Sequence, residues 1–326
     1  MNINTLIKLT LVFTLMVILM GAYTRLSDAG LGCPDWPGCY GQIIVPSDSD
    51  EISQAQNQFP ERKLEQDKAW LEMIHRYIAG ALGLMVLAIL IMCLRNKEAP
   101  KKLPMFISAL IIFQAALGMW TVTMKLMPIV VMSHLIGGFS LFSLMLLLYL
   151  RNKKIRIPGG DSYARQFAPL AMAGLLVLVV QIMLGGWTSS NYAALSCTTL
   201  PICEGDWLGN LQFAKAFSPF QGDHPSFEFG VLDYPARMTI HVSHRIWGIV
   251  TAIVLLMLAI KLVKSHSSIM RNSAYVLLLL LTVQIGLGIS NIVMHLPLGI
   301  AVSHNGGAAL LLLNMVFINY VILRKA

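Results

Sequence analysis

The sequence predicts an all-α integral membrane protein, with eight transmembrane helices arranged as two pseudo-symmetric parallel four-helix bundles. Three observations carry that expectation. The chain is 326 residues long, 56% hydrophobic and only 12% charged. Apolar runs of about 20 residues, the length that crosses a bilayer core of about 30 Å, recur along it. The second half of the chain also repeats the first in register.

Eight apolar runs lie at roughly 6–25, 70–94, 104–123, 129–150, 167–189, 237–262, 274–295 and 299–322. The first is long and lacks a small-x-small cleavage site, so it reads as a span and not as a signal peptide. Charge then orients the set. With the N-terminus inside, the inner segments hold Lys8; Arg95, Lys97, Lys101 and Lys102; Arg151, Lys153, Lys154, Arg156 and Arg165; Lys261, Lys264 and Arg271; and Arg324 and Lys325. These fifteen basic residues face two acids, Glu98 and Asp161, whereas the outer side holds nine basic and fourteen acidic residues. That is a positive-inside pattern with both termini cytoplasmic. The net charge of +8 is thereby used in orientation, and nucleic acid is not an expected partner; the bilayer is.

The two long outer loops, about 26–69 and 190–236, carry four of the five cysteines. They face an oxidising compartment, where disulfides persist. Four cysteines allow three connectivities; the close pairs Cys33–Cys39 and Cys197–Cys203 are the economical one. Cys93, near the inner end of the second span, reads as a small buried hydrophobe. Each loop is expected to cap the outer face of its own half.

The repeat is dense. Gly21 and Thr24 match Gly185 and Thr188, and the two cysteine pairs match each other, at an offset of 164 residues. His75-Arg76 matches His244-Arg245 at 169, while Gln114-x-x-Leu-Gly118 and Ser133-His134 match Gln284-x-x-Leu-Gly288 and Ser303-His304 at 170. The expected halves are 1–155 and 156–326. An even number of spans separates them, so they run the same way across the bilayer.

Four histidines give this scaffold its chemistry. His75 and His134 lie about five residues, hence about 7–8 Å, inside the outer ends of spans two and four. His244 and His304 repeat that depth in the second half. Polar side chains at membrane depth are costly and usually functional, and facing imidazoles at one depth can hold haem iron from opposite sides. Gly80, Gly137, Gly138, Gly248, Gly306 and Gly307 follow these histidines closely; small residues there let a flat macrocycle approach, and equally let helices pack together. Arg76 and Arg245 are candidates for haem propionates, with snorkelling to water as the plainer role. His224 and His266 lie in polar segments, and His295 has no counterpart in the first half.

The repeat breaks at Glu72. It stands three residues before His75, on one helical face with it, and is expected to project towards the first pocket; the matching residue before His244 is His241. A carboxyl there either meets water or Arg76, or handles a proton or a substrate cation during redox chemistry. The difference suggests that one half reacts while the other carries electrons. Residues alone leave open a membrane b-type cytochrome that exchanges electrons with quinone, and a disulfide-forming oxidoreductase centred on the loop cysteines.

Glu72-x-x-His75-Arg76, Ser133-His134, His244-Arg245 and Ser303-His304, together with Cys33-Pro-Asp-Trp-Pro-Gly-Cys39, resemble the haem A synthase family over the whole chain. That resemblance implies oxidation of the C8 methyl of haem O to a formyl group through a hydroxymethyl stage. It implies a resident haem b on His244 and His304, a haem O substrate site at His75 and His134, and an essential acid at Glu72. It also implies disulfides Cys33–Cys39 and Cys197–Cys203, and a place in a bacterial inner membrane. Haem O synthase as supplier and an electron partner outside the chain are the partners it implies.

Overall fold

A computed structural model describes residues 2–96, 99–155, 157 and 160–324. Lys97, Glu98, Arg156 and Lys325 of the inner charge set lie outside the described residues. Among the described residues there are eleven helices: α1 Ile3–Leu26, α2 Ser49–Gln58, α3 Gln66–Arg95, α4 Lys102–Thr123, α5 Pro128–Asn152, α6 Ser162–Arg165, α7 Ala168–Ser190, α8 Phe213–Ala216, α9 Tyr234–Val263, α10 Ser268–Val293 and α11 Leu298–Leu323. Eight of them (α1, α3, α4, α5, α7, α9, α10 and α11) are long and apolar enough to cross a membrane. The protein is an all-α, multi-pass membrane protein.

Its exterior agrees with lipid as solvent. Large apolar side chains such as Val12, Leu84, Ile112, Leu176 and Leu279 are 64–71% exposed, an arrangement that water would penalise at about 25 cal/mol per Å². Hydroxyls within the helices bond to nearby backbone in many places. Thr10 and Thr14 Oγ1 donate to the carbonyls of Leu6 and Thr10 at 2.8 and 2.7 Å, because an unmet hydroxyl in an apolar medium costs several kcal/mol.

Helix ends are set by local chemistry. Asp48 caps α2 by accepting from the amides of Asp50 and Glu51, and Glu51 reaches back to the Ser47 amide at 2.9 Å, a reciprocal arrangement that meets otherwise orphaned donors. The α4–α5 and α10–α11 connections use the same turn. Lys125 and Leu126 in one, His295 and Leu296 in the other, all have positive φ, and the Leu126 and Leu296 amides donate to the carbonyls of Thr121 and Asn291 at 2.8 and 2.7 Å. His295 therefore does have a positional counterpart, Lys125. It lies in this turn, beyond α10, which starts at Ser268 instead of 274 and ends at Val293.

Two compact units share the chain. One comprises Met1–Leu141 with Pro219–Val231, the other Phe142–Ser218 with Leu232–Ala326; the division falls inside α5. In the first unit α3 packs on α1 and α4. Its α1–α3 connection forms a small core of Cys33, Cys39, Tyr40, Val45, Ala55 and Leu64 on Ala69 and Met73 of α3. In the second unit α9 packs on α7 and α10, and α11 on α7 and α10. Side chains tie these helices together: Trp247 Nε1 donates to Val177 O at 2.9 Å, Asn319 Nδ2 to Ala171 O at 3.0 Å, and Asn314 Nδ2 to Ser273 O at 3.1 Å.

The expectation that each loop caps its own half fails for 219–231. This stretch of the α7–α9 connection packs with the first unit. The Phe227 amide donates to Lys125 O at 3.0 Å, and Glu228 takes a two-point contact from the Arg62 guanidinium at 2.8 and 3.2 Å. Hydrophobic patterning gives no sign of such a crossing, because the segment is short and polar.

Candidate functional site

Each of the four membrane histidines rests on a glycine of the preceding membrane helix. A Cβ on Gly21 of α1 would lie 2.8 Å from Cε1 of His75 on α3, and one on Gly118 of α4 would lie 3.3 Å from Cε1 of His134 on α5. In the second unit, Gly185 of α7 stands 3.2 Å from His244 on α9 by the same measure, and Gly288 of α10 stands 3.2 Å from His304 on α11. A Cβ at Gly21 would displace the imidazole, and one at the other three would press on it. Glycine lets the ring approach the neighbouring backbone and fixes which way it turns.

All four histidines are half-buried, yet Nδ1 of His75, His134 and His304 is sealed, with no hydrogen-bond partner among the described residues. What surface these residues keep lies away from that nitrogen. α4, whose Gly118 lies against His134, packs on the α3 that bears His75, and α10, whose Gly288 lies against His304, packs on the α9 that bears His244. No cluster of three or more His, Cys, Asp or Glu side chains able to hold a bare metal ion occurs among the described residues. Two imidazoles alone are, however, the donor set that haem iron takes as axial ligands. The residues fit that group in both units.

Behind the rings stand glutamines that the sequence reading passed over. Gln114 Nε2 donates to His134 O at 2.5 Å, Gln284 Nε2 to His304 O at 3.0 Å, and Gln181 Nε2 to His244 O at 3.2 Å. These contacts bear on the glycines that could admit a macrocycle. A Cβ on Gly137 would fall 2.1 Å from Gln114 Oε1, one on Gly307 2.2 Å from Gln284 Oε1, and one on Gly248 3.2 Å from Gln181 Nε2. Those glycines make room for glutamines, with Gly138 3.6 Å from Gln114 Nε2, while a Cβ on Gly80 would meet nothing within 4 Å; Gly306 is simply buried. The Gln-x-x-Leu-Gly repeat was the available signal, since residues four apart share a helix face and present glutamine and glycine to one histidine.

Arg76 and Arg245 are engaged by the cysteine loops. Arg76 donates to the carbonyls of Asp35 (3.0 Å), Pro37 (3.2 Å) and Gly38. Arg245 donates to Cys197 (2.5 Å), Thr199 (2.7 Å) and Ile202. Asp35 and Gly38 match Thr199 and Ile202 at the repeat offset of 164, so one clamp is built twice. Both cysteine pairs are bonded, with Cα separations of 4.8 and 4.9 Å, and each closes the loop its arginine holds. Beside the second clamp, Glu204 gathers the Thr198 and Thr199 hydroxyls; its own backbone N–H and the Thr199 hydroxyl hold its carboxyl down to about 2.

Glu72 belongs to the first clamp. It is 5% exposed, and it makes the contact with Arg76 that the sequence leaves open. One carboxylate oxygen accepts from Arg76 Nη2 at 2.5 Å and the other from the Cys33 amide at 2.9 Å. In the second unit His241 Nε2 takes the Arg245 Nε–H at 3.2 Å, and its Nδ1 has no partner among the described residues. Thus a carboxylate ties loop to helix in one unit and a neutral ring stands in its place in the other.

Comparison with known proteins agrees with this frame. The chain matches the COX15-CtaA family, described as cytochrome oxidase assembly protein, over residues 4–316. It is 67% identical to a haem A synthase of Shewanella oneidensis across 100% of this chain and 98% of the relative. It is 25% identical to haem A synthases of Nitrosospira multiformis, across 97% of this chain and 91% of the relative, and of Rhizorhabdus wittichii, across 93% and 89%. With a family match that spans nearly its whole length and eight apolar helices that carry the twin histidine pairs, this chain belongs to the COX15-CtaA family of cytochrome oxidase assembly proteins.

Proposed function

We propose that the chain is a haem A synthase, an oxidoreductase that converts the C8 methyl of haem O to a formyl group through a hydroxymethyl stage. The full-length 67% identity to a relative of that name supports the reaction class. The observation that carries the division of labour is internal: two histidine pairs sit in one repeated frame, and a carboxylate accompanies the first pair alone. On this reading His75 and His134 receive haem O, and His244 and His304 hold a resident haem b. The two halves, 1–155 and 156–326, are then pseudo-symmetric parallel bundles with unlike duties.

The chain's own groups bind and orient. The four glycines turn the imidazoles, and the glutamines hold the backbone that bears three of them. Haem iron supplies the redox chemistry when bound. Arg76 and Arg245, spent on loop carbonyls, keep the disulfide loops against the ends of α3 and α9, which limits water near the pairs. Glu72 ties the Cys33–Cys39 loop to the helix that bears His75 and is the group assigned to proton handling there. The positive-inside pattern supports a bacterial cytoplasmic membrane with both termini in the cytoplasm. Haem O then comes from a haem O synthase, and electrons leave to a partner outside the chain.

The test is pigment extraction from cells that make this protein together with a haem O supply. Haem A is expected in the extract. Accumulated haem O without haem A would contradict the assignment.

A further inference from the structure

The two histidine frames differ at one place that the reaction does not itself require. His134 and His304 have like surroundings: a glycine against the ring, a glutamine on the backbone carbonyl, and a glycine behind that glutamine. His75 and His244 do not. Four residues before Gly185, on the same face of α7, Gln181 reaches His244; its Nε2 lies 3.2 Å from Nδ1 and 3.2 Å from the backbone oxygen. Four residues before Gly21 the matching residue is Val17, and the residue that matches Gly248 is Ala79. A Cβ at 248 would stand 3.2 Å from the glutamine amide, so glutamine with glycine, and valine with alanine, are the self-consistent combinations.

We infer that Gln181, given room by Gly248, is a positioning residue that makes the His244–His304 site retentive, and that Val17 with Ala79 leaves the His75–His134 site exchangeable. This rests on the assignment of a resident haem to the second half. An imidazole that binds iron through Nε2 carries its proton on Nδ1. Gln181 Oε1 is sealed and has no partner among the described residues. Half a turn of the amide, which releases the His244 carbonyl, brings that acceptor to the Nδ1 proton. An accepted N–H fixes the ring and makes the imidazole a more basic ligand, and such partners are worth roughly 10–100-fold in metal affinity. His75 has no equivalent: its Nδ1 is sealed without a partner among the described residues, and valine has nothing to offer it. A substrate site that must release its product is served by that lack, and a resident site is not.

The experiment uses full-length protein purified in detergent, with haem b as the probe and a haem-scavenging globin to read its loss. In a His134→Ala background only the second pair is complete. There, Gln181→Met, close in volume and without the amide acceptor, is expected to lose haem b roughly tenfold faster and to raise the midpoint potential of the haem that remains. In a His304→Ala background, the transplant Val17→Gln with Ala79→Gly is expected to slow loss from the first pair roughly tenfold. Unchanged loss rate and potential in Gln181→Met would overturn the inference by itself. Failure of the His134→Ala parent to hold haem b would overturn the resident-site assignment, and the inference with it.

Discussion

The first and second histidine frames share the four glycines against their imidazoles, their arginine clamps and their disulfide loops, and differ in three side chains close to the rings and clamps, among others. Glu72, Val17 and Ala79 in the first stand where His241, Gln181 and Gly248 stand in the second. The first frame has a carboxylate between loop and helix and, among the described residues, no partner for Nδ1 of His75. The second has a neutral ring at the clamp and an amide on its histidine. The repeat thus keeps the imidazoles and the glycines against them, and the differences lie behind the rings. On the proposed reading, shared geometry gives both halves the same ligand class, and the changed residues give them different duties.

The largest expected effect breaks that difference at the acid. Glu72→Ala should abolish haem A in pigment extracts while the absorption band of haem b persists. Glu72→Gln keeps an acceptor for the Cys33 amide and removes the charge. It should restore the fold of the loop without restoring product if a proton is handled there, and should restore both if the residue only holds the loop.

A smaller effect compares the clamps. Arg76→Met leaves a buried carboxylate without its cation, which costs about 3–5 kcal/mol. Arg245→Met leaves only carbonyls and a neutral ring without a donor, for about 1–3 kcal/mol. Thermal unfolding of the two variants should rank them in that order; equal losses would mean that Glu72 is not charged in the folded protein.

Much of this architecture is legible from sequence because its causes are local. Length and apolarity fix the eight spans, and the helix bounds differ from expectation by only a few residues apart from the start of α10. The histidine pairs are legible because polar residues at membrane depth have few innocent reasons to be there. The second layer is not. Whether Gly137 faces a macrocycle or a glutamine depends on which neighbouring helix lies opposite, and a helical period does not carry that information. Glu72 shares a face with His75 but lies four residues from Arg76, and the nearby guanidinium and loop amide engage its oxygens. The passage of residues 219–231 to the first unit includes an ion pair and a backbone bond between distant parts of the chain, which no local pattern announces.

The central claim is that equal frames hold unequal ligands, and separating the pigments of two variants tests it most directly. Protein carrying His75→Ala and protein carrying His244→Ala are purified from cells supplied with haem O, and their bound haems are extracted and resolved by chromatography. His75→Ala should keep haem b and lose haem O and haem A, whereas His244→Ala should lose haem b. The same haems in the same proportions from both variants would contradict the division of labour between the two halves.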